Sequence, residues 1–335
     1  MNRTGFLRLS LLLAVVLTGC TSGRQGIWPT YPTAVTAEDR ERIHAEFGIT
    51  CRPWRQTGWD GWEIVSGHWQ IRTTVRDEYL LTYLPLLLED AFVAYQKQLS
   101  TQRKPLRPLR GYLFSDKREW MTFTRSYAPE ISSVTDHITA GGYQYKGTYV
   151  SFYIGRKGTL ANATHEGLHL FWAETFGTPI PSWLNEGLAV QFEGHQRVDG
   201  RLVVDLSENR NRQINLRYAI VHKRLIPLEE LIGLHPGDVI AGSQNNWQAY
   251  YGQVWALYRF MRDGRGGRYR PALRRIIEDC KRGRYPVDVG MGGRAERRQA
   301  AAVERFSAYL PVAFEQFKRE YVRFARQLAG FATED

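Results

Sequence analysis

His165, Glu166 and His169 stand in the order His-Glu-x-x-His, and Glu186 follows in the block Trp183-Leu184-Asn185-Glu186-Gly187. An α-helix turns about 100° per residue, so side chains four apart lie on nearly the same face. His165 and His169 can therefore offer two imidazoles to one metal ion, with Glu166 beside them as a base for water. A third protein ligand is still needed. Glu174 comes five positions after His169, roughly 140° round the helix, and points away. Glu186 sits on a segment that reads as a second short helix, opened by Pro181, and can fold back to complete the set. Two His and one Glu are the protein ligands of a catalytic zinc, which keeps a fourth position for water, rather than of a closed structural site. The expected cofactor is one Zn2+ per chain.

These residues resemble those of the gluzincins, zinc peptidases with a His-Glu-x-x-His helix and a downstream Glu ligand. The Trp183 to Gly187 block is similar to that of the M1-type aminopeptidases, although the interval from His169 to Glu186 is shorter here. The Gly-x-Met-Glu-Asn segment with which those aminopeptidases hold a substrate's free amine is missing; the nearest region is Ala140-Gly141-Gly142-Tyr143. The whole pattern more closely resembles the peptidase-MA-like domains of bacterial lipoproteins. The matching residues are Gly141 to Tyr143, His165 to His169, Trp183 to Ala189 and Tyr251 to Trp255. The resemblance spans roughly residues 110–262 and says nothing of substrate.

By that resemblance, Glu166 is the general base that takes a proton from water and passes it to the leaving amine. Related enzymes add a Tyr or His donor for the oxyanion from the C-terminal part. Tyr251 is the first candidate, Tyr250 the second and His195 a third, with plain packing as the other reading of both tyrosines. A metal-bound imidazole needs an acceptor for its other ring nitrogen. Several gluzincins place an acid four residues after the Glu ligand, where this chain has Val190. Glu193 returns to the same helix face and can substitute, or be solvated instead. Asn185 is a candidate for shaping the substrate pocket.

The N-terminus carries a second signal. Arg3 and Arg8 precede the apolar run Leu9 to Leu17, and Leu17-Thr18-Gly19-Cys20 forms a cleavage box. This reads as a secretory signal peptide, residues 1–19, of the lipoprotein kind, with Cys20 as the acylated first residue of the mature chain. Residues 20–36 then form a tether. Thr21, rather than Asp, after the cysteine points to a bacterial outer membrane, facing the periplasm, over the inner one. No later segment is long and apolar enough to span a bilayer.

The chain has 335 residues and a formal net charge of +11. A basic exported protein suits anionic lipid or a cell-wall polymer near its anchor. The arginines are dispersed rather than striped, and export argues against nucleic acid as a partner. Cys51 and Cys280 are the only other cysteines and, in an oxidising compartment, form a candidate disulfide.

Coarse periodicity supplies the elements. Helices are expected at Ala37 to Phe47, through Leu80 to Tyr95 with Pro85 as a kink, and at Asp116 to Thr124. Trp54, Trp59, Trp62 and Trp69 fall among strands and turns, where an aromatic core or a glycan- or peptide-binding cluster are both open readings. Arg110 to Phe114 reads as a strand. Thr148 to Ile154 alternates, with Tyr149, Ser151 and Tyr153 on one face, and the gluzincin resemblance makes it the sheet edge over the metal. Thr159 is the expected cap of the metal helix, which runs to about Phe176. A hairpin at His195 to Asp205 turns at Asp199-Gly200, and one amphipathic helix is expected from Phe306 to about Leu328. The fold class is α+β, zincin-like: a small mixed sheet with the active-site helix in an N-terminal lobe, 37–205, and a mainly helical lobe, 206–335.

The leading functional expectation is a membrane-anchored zinc metallopeptidase, an endopeptidase acting on peptides or proteins. A zinc-keeping scaffold lipoprotein without catalysis, or a cell-wall amide hydrolase, are the alternatives.

Overall fold

The computed structural model describes residues 10–11, 35–56, 58–135, 138, 141–198, 201–207, 209–235, 239, 246–287 and 295–332. The leader apart from Ser10 and Leu11, Cys20, nearly all of the tether, Ala140 and the Asp199-Gly200 turn lie outside the described residues. The chain is α+β and divides into two compact units. One comprises residues 1–175 with 192–206, the other residues 176–191 with 207–335. The segment bearing Glu186 thus belongs with the helical unit, although the sequence reading placed it with the first lobe.

The first unit is built on a mixed sheet. Its strands are β2 (Thr50–Gln56), β3 (Trp59–Val65), β4 (Trp69–Thr73), β5 (Leu109–Phe114), β6 (Gly142–Tyr145) and β7 (Thr148–Phe152), with the dipeptide β1 (Ser10–Leu11) alongside. The order is β1-β6-β7-β5-β4-β3-β2. β4, β5 and β7 run parallel and the remaining pairs antiparallel. β7 therefore lies inside the sheet between β5 and β6, and β6 is the longer strand towards the edge. This corrects the expected edge at Thr148: the turn at Lys146 and Gly147, both with positive φ, folds β6 back over its neighbour. The long helix α2 (Glu78–Gln98) and the metal helix α5 (Arg156–Thr175) pack together, and α5 also lies on β5, β6 and β7.

Pro85 sits inside α2, which runs on through it. A proline frees the carbonyl four residues back and loosens that turn. His44, at the end of α1 (Ala37–Phe47), places Nε2 3.4 Å from the Thr82 carbonyl and also bonds toward that of Leu81. Asp116 caps α3 (Lys117–Tyr127) by accepting from the Glu119 N–H, and the single turn α4 (Ser132–Thr135) follows. Trp69 is buried, donating to the Leu88 carbonyl, while Trp54 and Trp59 join rings with Tyr112, Phe114 and Phe123. The tryptophans are thus largely core. β8 (His195–Val198) and β9 (Arg201–Val204) form the expected antiparallel hairpin.

The second unit is helical: α6 (Ser182–Ala189), α7 (Arg210–Val221), α8 (Leu228–Gly233), α9 (Asn246–Gly267, leaving helical geometry at Gly264), α10 (Arg270–Lys281), α11 (Ala295–Ser307) and α12 (Phe314–Leu328). α9 is its axis, in contact with α6, α7, α10 and α12. Gly187 permits the α6 approach, since a Cβ there would sit 3.0 Å from the Val254 carbonyl oxygen. Gln253 bonds both the N–H and the carbonyl of Ile226, closing that loop's backbone needs. The helix expected from Phe306 to Leu328 is two helices. Pro311 lacks an N–H and falls in the break between α11 and α12.

Cys51 and Cys280 are free thiols, so the candidate disulfide is not formed. Cys51 lies on β2 and Cys280 is fully buried on α10, each in a different unit's packing. Burial pushes both thiols up, away from the reactive thiolate.

Candidate metal centre

α5 begins at Arg156, earlier than the sequence suggested. Thr159 lies inside its first turn, and its Oγ1 accepts from the Ile154 N–H. Thr159 therefore ties the turn before the helix to its first turn rather than capping a helix N–H, which corrects the expected cap.

Two turns on, His165 and His169 are 0% and 3% exposed and Glu166 0%. Buried polar side chains need a compensating partner, so their placement demands explanation. The Nε2 atoms of His165 and His169 are 3.1 Å apart. One ligand atom from each of His165, His169 and Glu186 lies within 4.8 Å of the others, and all three residues are buried. Tetrahedral ligands about 2.0–2.2 Å from a zinc ion stand roughly 3.3 Å from one another. The imidazole pair already meets that spacing. Borderline-soft nitrogen with one hard carboxylate is a donor set that suits zinc, so the residues present fit the ion.

The ring orientation is fixed from behind. Glu193 Oε1 is 2.8 Å from His165 Nδ1. A carboxylate there accepts the Nδ1 proton, leaving the Nε2 lone pair for a metal. Glu193 reaches this position by a different backbone route from the one expected. α6 stops at Ala189 and residues Val190–Glu193 wind as a 3-10 turn. Thr164 Oγ1 donates to the Phe192 carbonyl at 2.7 Å, tying the metal helix to that turn.

A close contact explains Gly167. A Cβ at this position would lie 2.7 Å from the Tyr95 hydroxyl oxygen and 2.8 Å from the Trp69 ring. Only glycine lets α5 seat against α2 and β4 at this point. Tyr95 also donates to the Thr164 carbonyl, and burial holds its phenol far above the ordinary value.

Three further residues, singled out by no motif, stand near Glu166. The Tyr149 hydroxyl oxygen accepts from Asn162 Nδ2 at 3.1 Å and from Ser151 Oγ at 2.5 Å. Burial first, then the bonds and the neighbouring Glu166 charge, set its acidity, and the net effect lies well above the ordinary phenol range. Asn162 is four residues before Glu166, hence on its helix face. That spacing, with the i, i+2 pair Tyr149 and Ser151, is the signal by which the sequence could have shown them.

The other candidates are placed as follows. Glu174 pairs with Arg107 and takes no part in the cluster. Asn185 is half-buried beside Glu186 on α6. Tyr250 and Tyr251 are buried on α9, their rings 5.3 Å apart, with the Arg212 guanidinium over Tyr251. His195 opens β8 with Nδ1 3.4 Å from the Glu193 carbonyl, and loss of hydration pushes its imidazole down to about 4. It is a neutral ring near pH 7.

Comparison of the chain with protein-family models, with curated proteins and with solved structures gives no match.

Proposed function

We propose that the protein is a zinc-dependent peptidase of gluzincin type, with a zincin-like first unit. The carrying observation is the buried set of His165, His169 and Glu186 with Glu166 next in sequence and Glu193 behind His165. Zinc, when bound, would supply Lewis-acid polarisation of the scissile carbonyl and make water acidic enough to deprotonate near neutral pH. The remaining work falls to the chain. Glu166 accepts the proton of the attacking water and returns it to the leaving amine. Glu193 holds His165 in the tautomer that presents Nε2. Tyr251 or Tyr250 is the proposed donor to the developing oxyanion.

An extended peptide finds main-chain partners on β6. Ser10–Leu11 pairs antiparallel with Gln144 and Tyr143, which supports this edge as the place for an added strand. Ser10 and Leu11 fall within the expected leader, so its removal would free that edge for a substrate. The absence of a Gly-x-Met-Glu-Asn segment favours an endopeptidase. N-blocked peptides should then be cut faster than free-amine aminoacyl reporters, and the reverse order would overturn this assignment.

A non-catalytic zinc scaffold is the second reading, and a cell-wall amide hydrolase the third. Glu166 speaks against the scaffold: burying a carboxylate beside the ligands is costly and serves no purpose in a closed site. Lipidation of Cys20 and a place on the periplasmic face of an outer membrane remain part of the proposal. Among the described residues no helix is long and apolar enough to cross a membrane.

A further inference from the structure

From Asn209 to Pro227 the chain carries no Asp or Glu, yet it holds Arg210, Arg212, Arg217, Lys223 and Arg224. Arg212 is buried; the other four cations are exposed. Helix α7 spans most of this stretch, and its solvent face is not simply polar. Ile214 and Val221, seven residues apart and so on one face, are 54% and 55% exposed, and Leu225 just beyond the helix is 36% exposed. Arg210, Ile214, Arg217 and Val221 follow one another along this stripe at helical spacing, and just past the helix, beyond Lys223 with its positive φ, come Arg224 and Leu225.

The arginines here differ from those of the loop at Gly264. In that loop Arg262 is held by Asp263, and Arg265 and Arg268 by the buried carboxylate of Glu320. On α7, Arg217 donates to the Ala329 carbonyl at 3.2 Å and stacks over Phe331, and Arg224 lies over Tyr218. Carbonyls and rings orient a guanidinium without neutralising it. Among the described residues, Arg217 and Arg224 therefore keep their positive charge beside the exposed branched aliphatic side chains.

We infer that the exposed face of α7, with the turn through Leu225, is a docking surface for an anionic lipid bilayer. Cations meet headgroup phosphates while Ile214, Val221 and Leu225 enter the acyl boundary, the division of labour of an interfacial helix. A soluble polyanion would satisfy the arginines alone and leave the aliphatic residues without use. This inference does not depend on the peptidase reading. It bears on how a tethered chain lies on its membrane.

The test uses the full chain with vesicles of phosphatidylcholine alone or mixed with phosphatidylglycerol, and reads the ratio of the two affinities. A leader or acyl chain contributes to both vesicle types and leaves that ratio unaffected. The expected ratio favours the anionic vesicles by on the order of tenfold or more and shrinks at high salt. Arg217→Gln with Arg224→Gln should bring it close to one. Ile214→Ser with Val221→Ser should weaken anionic-vesicle binding several-fold, while Arg282→Gln with Arg284→Gln, elsewhere on the surface, should leave it unchanged. All three pairs are exposed, and an unaltered thermal midpoint confirms folding. An unchanged ratio in the α7 charge variant overturns the inference. So does polyphosphate binding that matches the anionic vesicles and ignores the Ile214 and Val221 changes.

Discussion

The Glu193 carboxylate lies 2.8 Å from His165 Nδ1 and so decides which imidazole nitrogen is left for a metal. Replacing it with Ala removes the acceptor while leaving all three ligands in place. Zinc affinity should fall about 10–100-fold, the usual cost of losing such a partner. Competition against a chromophoric chelator measures this directly. Equal affinity in Glu193→Ala would show that the bond does not tune the site.

Gly167→Ala should be far more damaging than its size suggests. The added methyl would come within 3 Å of both Tyr95 and Trp69, two fully buried residues. Overpacking of this kind costs about 1–3 kcal/mol, and here it also displaces the helix carrying both histidines. Chemical denaturation should show the loss of stability, and zinc binding should weaken with it.

Tyr149→Phe tests the polar cluster near Glu166. The change deletes the acceptor of Asn162 Nδ2 and Ser151 Oγ. A buried donor left without a partner costs about 1–3 kcal/mol. Combining the change with Asn162→Leu, which removes that donor as well, should be less costly than the two single losses added. Strict additivity in a double-mutant cycle would contradict the coupling.

Acid sensitivity should trace partly to Glu63. Burial alone would raise its carboxyl, but bonds from Arg52, Arg72 and Gln70 outweigh that and hold it below the ordinary value. The folded chain thus binds this proton less readily than the unfolded chain. Its contribution is complete above about pH 4.3 and disappears as pH falls through the lower folded value. Glu63→Gln should flatten the stability profile below that pH. An unchanged acid limb would exclude Glu63 as a cause.

The site was readable where it is local. Four-residue spacing puts His165 and His169 together on any helix, and Glu186 followed from the need for a third ligand. Glu193 was reachable by spacing, although a 3-10 turn rather than continued helix delivers it. Strand order was not readable. The edge position of β7 was what the gluzincin resemblance implied; its own alternation is local and names no partner, whereas its pairing with β5 depends on a distant strand. The break at Pro311 was obscured by apolar periodicity running through both helices. The Tyr149 cluster joins a strand to a helix and follows no motif.

The most direct test pairs zinc content with cleavage of an N-blocked peptide library, comparing the wild-type chain with Glu166→Gln. The gluzincin assignment predicts about one zinc per chain in both proteins and cleavage by the wild type alone. Well-folded protein without zinc, or Glu166→Gln cleaving as fast as wild type, would contradict it.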